Sequence, residues 1–319
     1  GERVGKHCKR VGIHINFAPV VDINTNPKNP IIGNRSFGEN KENVTNKSIA
    51  FTKGMQNVGV LANAKHFPGH GDTATDSHHT LPVIEFDEKR LDTLELYPFK
   101  KMFDAGVASV MTAHLSIPKL ESNPTLPSSL STRVVTDLLK VKMGFLGLII
   151  TDGLNMKGAA NYSTPAEIDL AAILAGNDML LIPQDVPGSV KLLKASLEKG
   201  ILTEERLDIS VRKILKAKYL VGLNNYQPIS QENLKEDLNT VKDHLLHRKL
   251  VENSVTVLKN QEQLLPIRNL ENKKIAYVEF GDDPGSIFLE MLQNYTKVTQ
   301  VKESNLPKLL KKLKPYNLV

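Results

Sequence analysis

The stretch KHFPGHGDTATDSHHTLP, residues 65–82, gathers Lys65, His66, His70, Asp72, Asp76, His78 and His79 in one loop-like segment. Asp76 and His78 are two positions apart, and side chains at i and i+2 of an extended or turning segment point the same way. A carboxylate beside an imidazole fixes its tautomer and raises its basicity, which suits a histidine that must accept and return a proton. Taken alone, an Asp-x-His pair serves equally well as a structural hydrogen bond of the loop. His66, His70, Asp72, Asp76, His78 and His79 also have the chemistry of zinc ligands. Their spacing matches no standard ligand motif such as HExxH, so the expectation is that no metal is held. The second focus is Asp152, in LIITDGLNMKGAAN, where it ends an apolar run and precedes Gly153. It reads either as a ligand-facing carboxylate on a rigid strand or as a turn cap, and the residues alone leave both open. His114 reads as a structural group at the strand ends and Met156 as packing. Asp22 and Asn24 read as turn formers before pocket lining.

The elements that must position these groups follow from periodicity. Apolar β-type runs cover residues 13–23, 60–64, 108–115, 146–151 and 178–182. Helical patterns alternate with them over residues 42–58, 87–105, 165–175, 188–198 and 204–218, with another helix capped by Ser131. Short, nearly continuous apolar strands joined by helical crossovers predict parallel pairing with helices outside the sheet. The polar, Gly- and Pro-rich segments follow strands, which places the chemistry at the carboxyl ends. A (β/α)8 barrel and an open doubly wound sheet both fit five visible strands. After a break near Gly222, a helix over 239–252, strands over 254–258, 274–280 and 297–301, and a helix over 286–293 predict the start of a second α/β domain.

The bulk composition sets outer limits. The chain has 319 residues, 40% hydrophobic and 24% charged, with a net charge of +6, so two soluble-type domains are expected. The single cysteine, Cys8, excludes an internal disulfide framework and a Cys-rich metal site. No apolar stretch approaches the roughly 20 residues a membrane helix needs, and no signal peptide opens the chain. The sharpest basic cluster, Lys308, Lys311, Lys312 and Lys314, reads as a solvated helix face. No aromatic platform accompanies it, so no nucleic-acid partner is expected.

KHFPGHGDTATDSHHTLP together with ITDGLNMKGA resembles glycoside hydrolase family 3, specifically its β-N-acetylglucosaminidase (β-N-acetylhexosaminidase) branch. NFAPVVDINTNPKNPIIGNRSFG, AGNDMLLIP and SVTVLKNQEQLLPI agree, and the wording DSHHTLP and TDGLNMKGA is similar to members from Bacteroidetes-type bacteria. The resemblance implies an α/β fold, a (β/α)8 TIM-type barrel followed by an αβα sandwich. It divides the chain into a barrel domain over residues 1–222, a linker over 223–253 and the beginning of the sandwich over 254–319. It implies Asp152 as nucleophile, His78 paired with Asp76 as general acid/base, and Arg35, Lys65 and His66 as sugar ligands, with no cofactor. The implied reaction is retaining removal of terminal β-linked N-acetylglucosamine, through a covalent glycosyl-aspartate. The substrate would be a GlcNAc-containing glycan or muropeptide, as in peptidoglycan turnover, with a periplasmic or cell-envelope location favoured over a cytoplasmic one. A neutral imidazole would not repel an incoming anion, so phosphorolysis stands beside hydrolysis. The alternatives are a β-glucosidase of the same family, whose acid/base carboxylate usually comes from the second domain, and a non-catalytic glycan-binding barrel.

Two departures from the family pattern bear on these expectations. The strands that usually precede this segment, with an additional substrate-binding aspartate in a D-x-E-like motif, have no counterpart here. Many relatives also carry a second acidic residue where this chain has Gly153. The first departure reads the chain as an internal fragment, with a barrel lacking its first strands. The expectation is then that residues 1–319 alone turn over substrate poorly. Robust steady-state turnover of an aryl N-acetylglucosaminide by this purified polypeptide would contradict it.

Overall fold

The structure is a computed structural model that describes residues 1–75, 80–281 and 286–319. The chain divides into two compact units, residues 1–244 and 245–319.

In the first unit the apolar runs become β1 (Ile15–Asn16), β2 (Leu61–Phe67), β3 (Ser109–Thr112), β4 (Leu148–Gly153) and β5 (Met179–Leu181). All are parallel, and each pairs with its neighbour in sequence, giving the order β1-β2-β3-β4-β5. A doubly wound sheet reverses its strand order at a switch point, and no reversal occurs here. The five strands are therefore an arc of TIM-type α/β barrel architecture. Crossover helices include Lys41–Asn57, Tyr97–Asp104, Arg133–Lys142 and Pro165–Ala175.

Alternation along the strands sets the two faces. Ala62, Ala64, Val110 and Ile149 are buried in the core shared with Met55, Phe99, Met102, Val135 and Leu139 of the helices. The intervening Lys65, Met111 and Asp152 face the other way and line a pocket. Phe99 stacks edge-on against Phe67 with ring centroids 5.2 Å apart, which ties the helix Tyr97–Asp104 to β2.

Local chemistry accounts for where the elements depart from the expected spans. The run over 13–23 forms regular strand only at β1 and one further bridge, Val20 to Lys65; between them Ala18 turns its N–H back to the Asn16 carbonyl at 2.8 Å and Pro19 has no N–H to donate. The helix expected over 87–105 breaks into Glu88–Arg90, a π-type turn at Leu91–Glu95 and a helix at Tyr97–Asp104. Pro98 forces this, being tolerated only in the first turn of a new helix. Asn40 caps Lys41–Asn57 by accepting from the Asn43 N–H at 2.9 Å, and Thr164 with Glu167 forms a capping box on Pro165–Ala175. The Ser131 hydroxyl accepts a long 3.4 Å bond from the Val134 N–H and donates to Glu121 at 2.7 Å. Residues 230–237 are drawn onto the helix Glu2–Arg10, where Arg10 donates to the carbonyls of Ser230 and Glu232, each at 2.6 Å, and to Asp237 at 2.8 Å.

In the second unit, β6 (Ile275–Tyr277) and β7 (Val298–Gln300) form a parallel pair, with helices Ser286–Gln293 and Leu306–Leu313. Residues 254–258 are exposed and not in a strand. Their β-branched pattern finds no ladder partner among the described residues, and β-propensity without a neighbour does not make a strand. Lys308, Lys311, Lys312 and Lys314 are exposed around a helix anchored by buried Leu309. Among the described residues no helix is long and apolar enough to cross a membrane.

Phe99→Ala removes a fully buried ring from the strand–helix core and is expected to destabilise the first unit by about 3–5 kcal/mol. Urea unfolding followed by far-UV circular dichroism checks this. A loss under about 1 kcal/mol would contradict the packing described.

Candidate active site

The pocket lies at the carboxyl ends of β2 and β4, where two irregularities shape it. Strand register shifts between Ala64 and Phe67 in the β2–β3 pair, and between Ile150 and Gly153 in the β4–β5 pair. In a regular strand consecutive side chains point to opposite faces. The first shift lets consecutive Lys65 and His66 both line the pocket, and the second sits at Asp152. Arg35 reaches in from a short 3-10 turn, Gly33–Arg35. Phe17, Ile31, Met111, Met156 and Leu181 supply apolar walls, and the space measures about 470 Å³ with its open mouth included. That suits a compact polar ligand.

The structure thus brings Arg35, Lys65, His66 and Asp152 to one place from three separate segments. Asp76 and His78 lie outside the described residues, as does His79. The loop leading to them is held at several points. The Arg90 guanidinium donates to Asp72 at 3.1 Å and to Glu95 at 3.3 Å, and Thr25 donates to Asp72 at 3.0 Å. Asn29 donates to the His70 carbonyl at 2.8 Å. The Thr73 hydroxyl donates to the same carbonyl at 3.1 Å, so the His70 Nδ1–H donates to Thr73 Oγ1 at 2.6 Å. Gly71 passes so near the backbone of Ile23 that an added Cβ would stand 1.8 Å from its carbonyl oxygen. Gly69 adopts φ +131° against Glu95, a region L-residues avoid.

Asp22, expected as a turn residue or pocket liner, does neither. It is 1% exposed, behind the pocket. Its carboxylate accepts from the backbone N–H of His70 at 2.7 Å and of His66 at 3.2 Å, and lies 2.7 Å from His66 Nδ1. Burial pushes this carboxyl up, but the His66 imidazole and the His70 contacts outweigh it and hold Asp22 below the usual range. No sequence signal marks this partnership, because the residues are far apart in the chain and neither forms a motif with the other. His114 is buried, as a structural group should be. Its Nε2–H donates to the Gly153 carbonyl at 3.0 Å, and its Nδ1 accepts from Ser129 Oγ at 2.7 Å. Burial pushes His114 below its ordinary value, despite the Asp152 charge nearby, consistent with a neutral ring.

Asp152 accepts from the Gly153 N–H at 2.8 Å and is half-buried. Burial pushes its carboxyl up, but the basic side chains around it, the Lys65 ammonium among them, and the Gly153 N–H outweigh that and hold it below the usual aspartate value. Lys65 is lowered, first by burial and then by Arg35, with Asp152 and Asp22 opposing. The arrangement offers an ionised carboxylate beside cationic donors, in a pocket ending a rigid strand. An ionised carboxylate can accept hydrogen bonds or act as a nucleophile, and the cationic side chains can donate to ligand oxygens.

Parallel α/β barrel architecture with a carboxylate and cations at its strand ends places this pocket where barrel enzymes carry their active sites. Residues 1–217 match the glycosyl hydrolase family 3 N-terminal domain, and the chain belongs to that family. It is 32% identical over 317 residues to beta-hexosaminidase A of Pseudoalteromonas piscicida, covering 92% of this chain and 52% of that protein. It is 29% identical over 272 residues to a beta-N-acetylglucosaminidase/beta-glucosidase of Cellulomonas fimi, covering 83% of this chain and 48% of that protein. Among solved structures, a glycoside hydrolase family 3 beta-N-acetylglucosaminidase from Paenibacillus sp. str. FPU-7 superposes with TM-score 0.81 at 30% identity, covering 99% of this chain and 63% of that one. The chain thus spans about half the length of the two curated relatives.

The depressed Asp152 carboxyl has a measurable consequence. An unfolded aspartate titrates near about 3.9, above the folded value. Asp152 therefore contributes stability that is fully present above the unfolded value and is lost as pH falls through the folded one. Thermal melts between pH 7 and pH 2 should show the wild type losing stability below about pH 4 more steeply than Asp152→Asn. Superimposable pH profiles of the two proteins would contradict the assignment.

Proposed function

We propose that this protein is a retaining β-N-acetylglucosaminidase in which Asp152 is the nucleophile. The observation carrying the reading is the convergence of Asp152 with Arg35, Lys65 and His66 in one strand-end pocket, in a chain of glycosyl hydrolase family 3. The relatives named beta-hexosaminidase support the acetamido sugar. GlcNAc-containing glycans, muropeptides among them, are the substrate class. Residues 1–222 form the catalytic barrel and residues 254–319 open the sandwich domain, with 223–253 as linker.

In the first step a carboxylate oxygen of Asp152 attacks the anomeric carbon as the bond to the leaving oxygen breaks. His78, oriented by Asp76, gives that oxygen its proton, so the leaving group departs as an alcohol. In the second step water attacks the anomeric carbon and His78 takes its proton. The bond to Asp152 breaks as the new bond to the water oxygen forms, and this restores the carboxylate. Arg35 and Lys65 donate hydrogen bonds to sugar oxygens, and His66 completes the binding set. The depressed carboxyl of Asp152 keeps the nucleophile ionised at the pH where a histidine can still carry a proton. The Cellulomonas fimi relative is named for both acetylglucosaminide and glucoside cleavage, which favours β-glucosidase activity as the second reading.

A mechanism-based fluorinated N-acetylglucosaminide tests the mechanism, since covalent capture needs a single glycosylation step. Peptide mass spectrometry should place one sugar on Asp152 in the wild type and none in Asp152→Asn. Saturable sugar binding with no adduct would instead establish a non-catalytic glycan-binding barrel. Capture by a glucoside analogue and not by the acetamido sugar would establish the second reading.

A further inference from the structure

We propose that Asp22 is a positioning residue that fixes the tautomer of His66, so that His66 Nε2 offers the pocket a lone pair and the ligand group facing it is a hydrogen-bond donor. The statement about the ligand rests on the reading that this pocket holds a sugar; the tautomer does not.

Arg35 has only N–H groups and no acceptor. Its Nη2 lies 3.3 Å from His66 Nε2, so that nitrogen accepts and carries no hydrogen. The ring hydrogen is then on Nδ1, where it donates to Asp22 Oδ2 at 2.7 Å. An imidazolium would instead aim a second N–H at the guanidinium, donor against donor and charge against charge.

Asp22 is built to hold this state. Its carboxylate is engaged by the His66 N–H, which lies 3.2 Å from both oxygens, and by the His70 N–H at 2.7 Å. With the ring N–H added, these donors tie both oxygens to the turn at the end of β2. Flipping the imidazole would strip a fully buried carboxylate of its side-chain donor, a costly loss where no water can replace it. Asp22 therefore acts on the pocket through His66, without touching it.

The consequence for recognition is specific. An N–H···N bond of 3.3 Å is long, so a ligand O–H can take over the Nε2 lone pair. A sugar hydroxyl does this. The same position bearing a methyl ether or fluorine cannot, and the buried acceptor is left without its new donor.

The test is a nitrogen NMR experiment on the whole chain labelled with 15N-histidine, without ligand, the His66 signals being assigned by their loss in H66Q. The expected pattern is a protonated, pyrrole-like Nδ1 and a pyridine-like Nε2. In D22N the proton should move to Nε2 or average between both nitrogens, and N-acetylglucosamine binding should weaken roughly tenfold. A wild-type His66 protonated on Nε2, or on both nitrogens at neutral pH, would overturn the assignment. So would an unchanged His66 pattern in a folded D22N. Should D22N not fold, the spectrum of the unmodified chain decides by itself. An intact Nδ1–H pattern in a protein that binds no acetamido or other sugar would overturn the ligand half and count against the sugar-site reading, leaving the tautomer standing.

Discussion

The buried Asp22 carboxylate is the constraint on which the pocket depends. A charge taken out of water is tolerated only where hydrogen-bond donors surround it. Here the donors come from the backbone of His66 and His70 and sit beside the His66 ring. Satisfying that carboxylate folds the end of β2 into a turn, and the turn sets where His66 stands. The same turn launches the loop that Asp72, Arg90 and Asn29 then secure. Fold and site are joined here by electrostatic necessity more than by apolar packing.

The scaffold was largely legible in the sequence because its signals are local. β2, β3, β4 and β5 fall on apolar runs, and a parallel α/β arrangement follows from helical patterns between them. What was missed traces to groups whose effect depends on a partner. Ala18 and Pro19 interrupt the first strand, one turning its N–H back on the chain and the other having none, and Pro98 starts a helix inside what reads as a continuous one. Residues 254–258 carry strand-like composition, yet a strand is a property of two segments, and no second one lies alongside among the described residues. Choosing between a barrel and a doubly wound sheet needed the strand order, which periodicity cannot supply.

The site was legible in a different way. Lys65, His66 and Asp152 announce themselves as polar residues ending apolar strands, and Arg35 entered through family resemblance. Geometry adds that these four share one pocket. Asp22 stayed hidden because a turn-forming aspartate and a buried organiser look the same in a string of letters. His114 shows the converse. Its bland reading agrees with its burial, yet it grips the carbonyl of the residue next to Asp152. A structural histidine thus stands behind Asp152 while lying outside the pocket lining.

The charge balance of the pocket narrows what can occupy it. Arg35 and Lys65 are donors only, and ionised Asp152 is an acceptor only. Lys65 is already pressed downward by burial and by Arg35, so water excluded by a ligand must be replaced by oxygen acceptors that stabilise its charge. An acceptor-only ligand such as a carboxylate would meet those cations well but would face Asp152 with like charge. An apolar ligand would leave all three groups unpaired. A sugar hydroxyl both donates and accepts, and an acetamido group adds an amide N–H and a strong carbonyl acceptor. A neutral polyhydroxylated ring can therefore satisfy cations on one side and the carboxylate on the other without changing the net charge. It also leaves Asp152 ionised, as the proposed attack on the anomeric carbon requires.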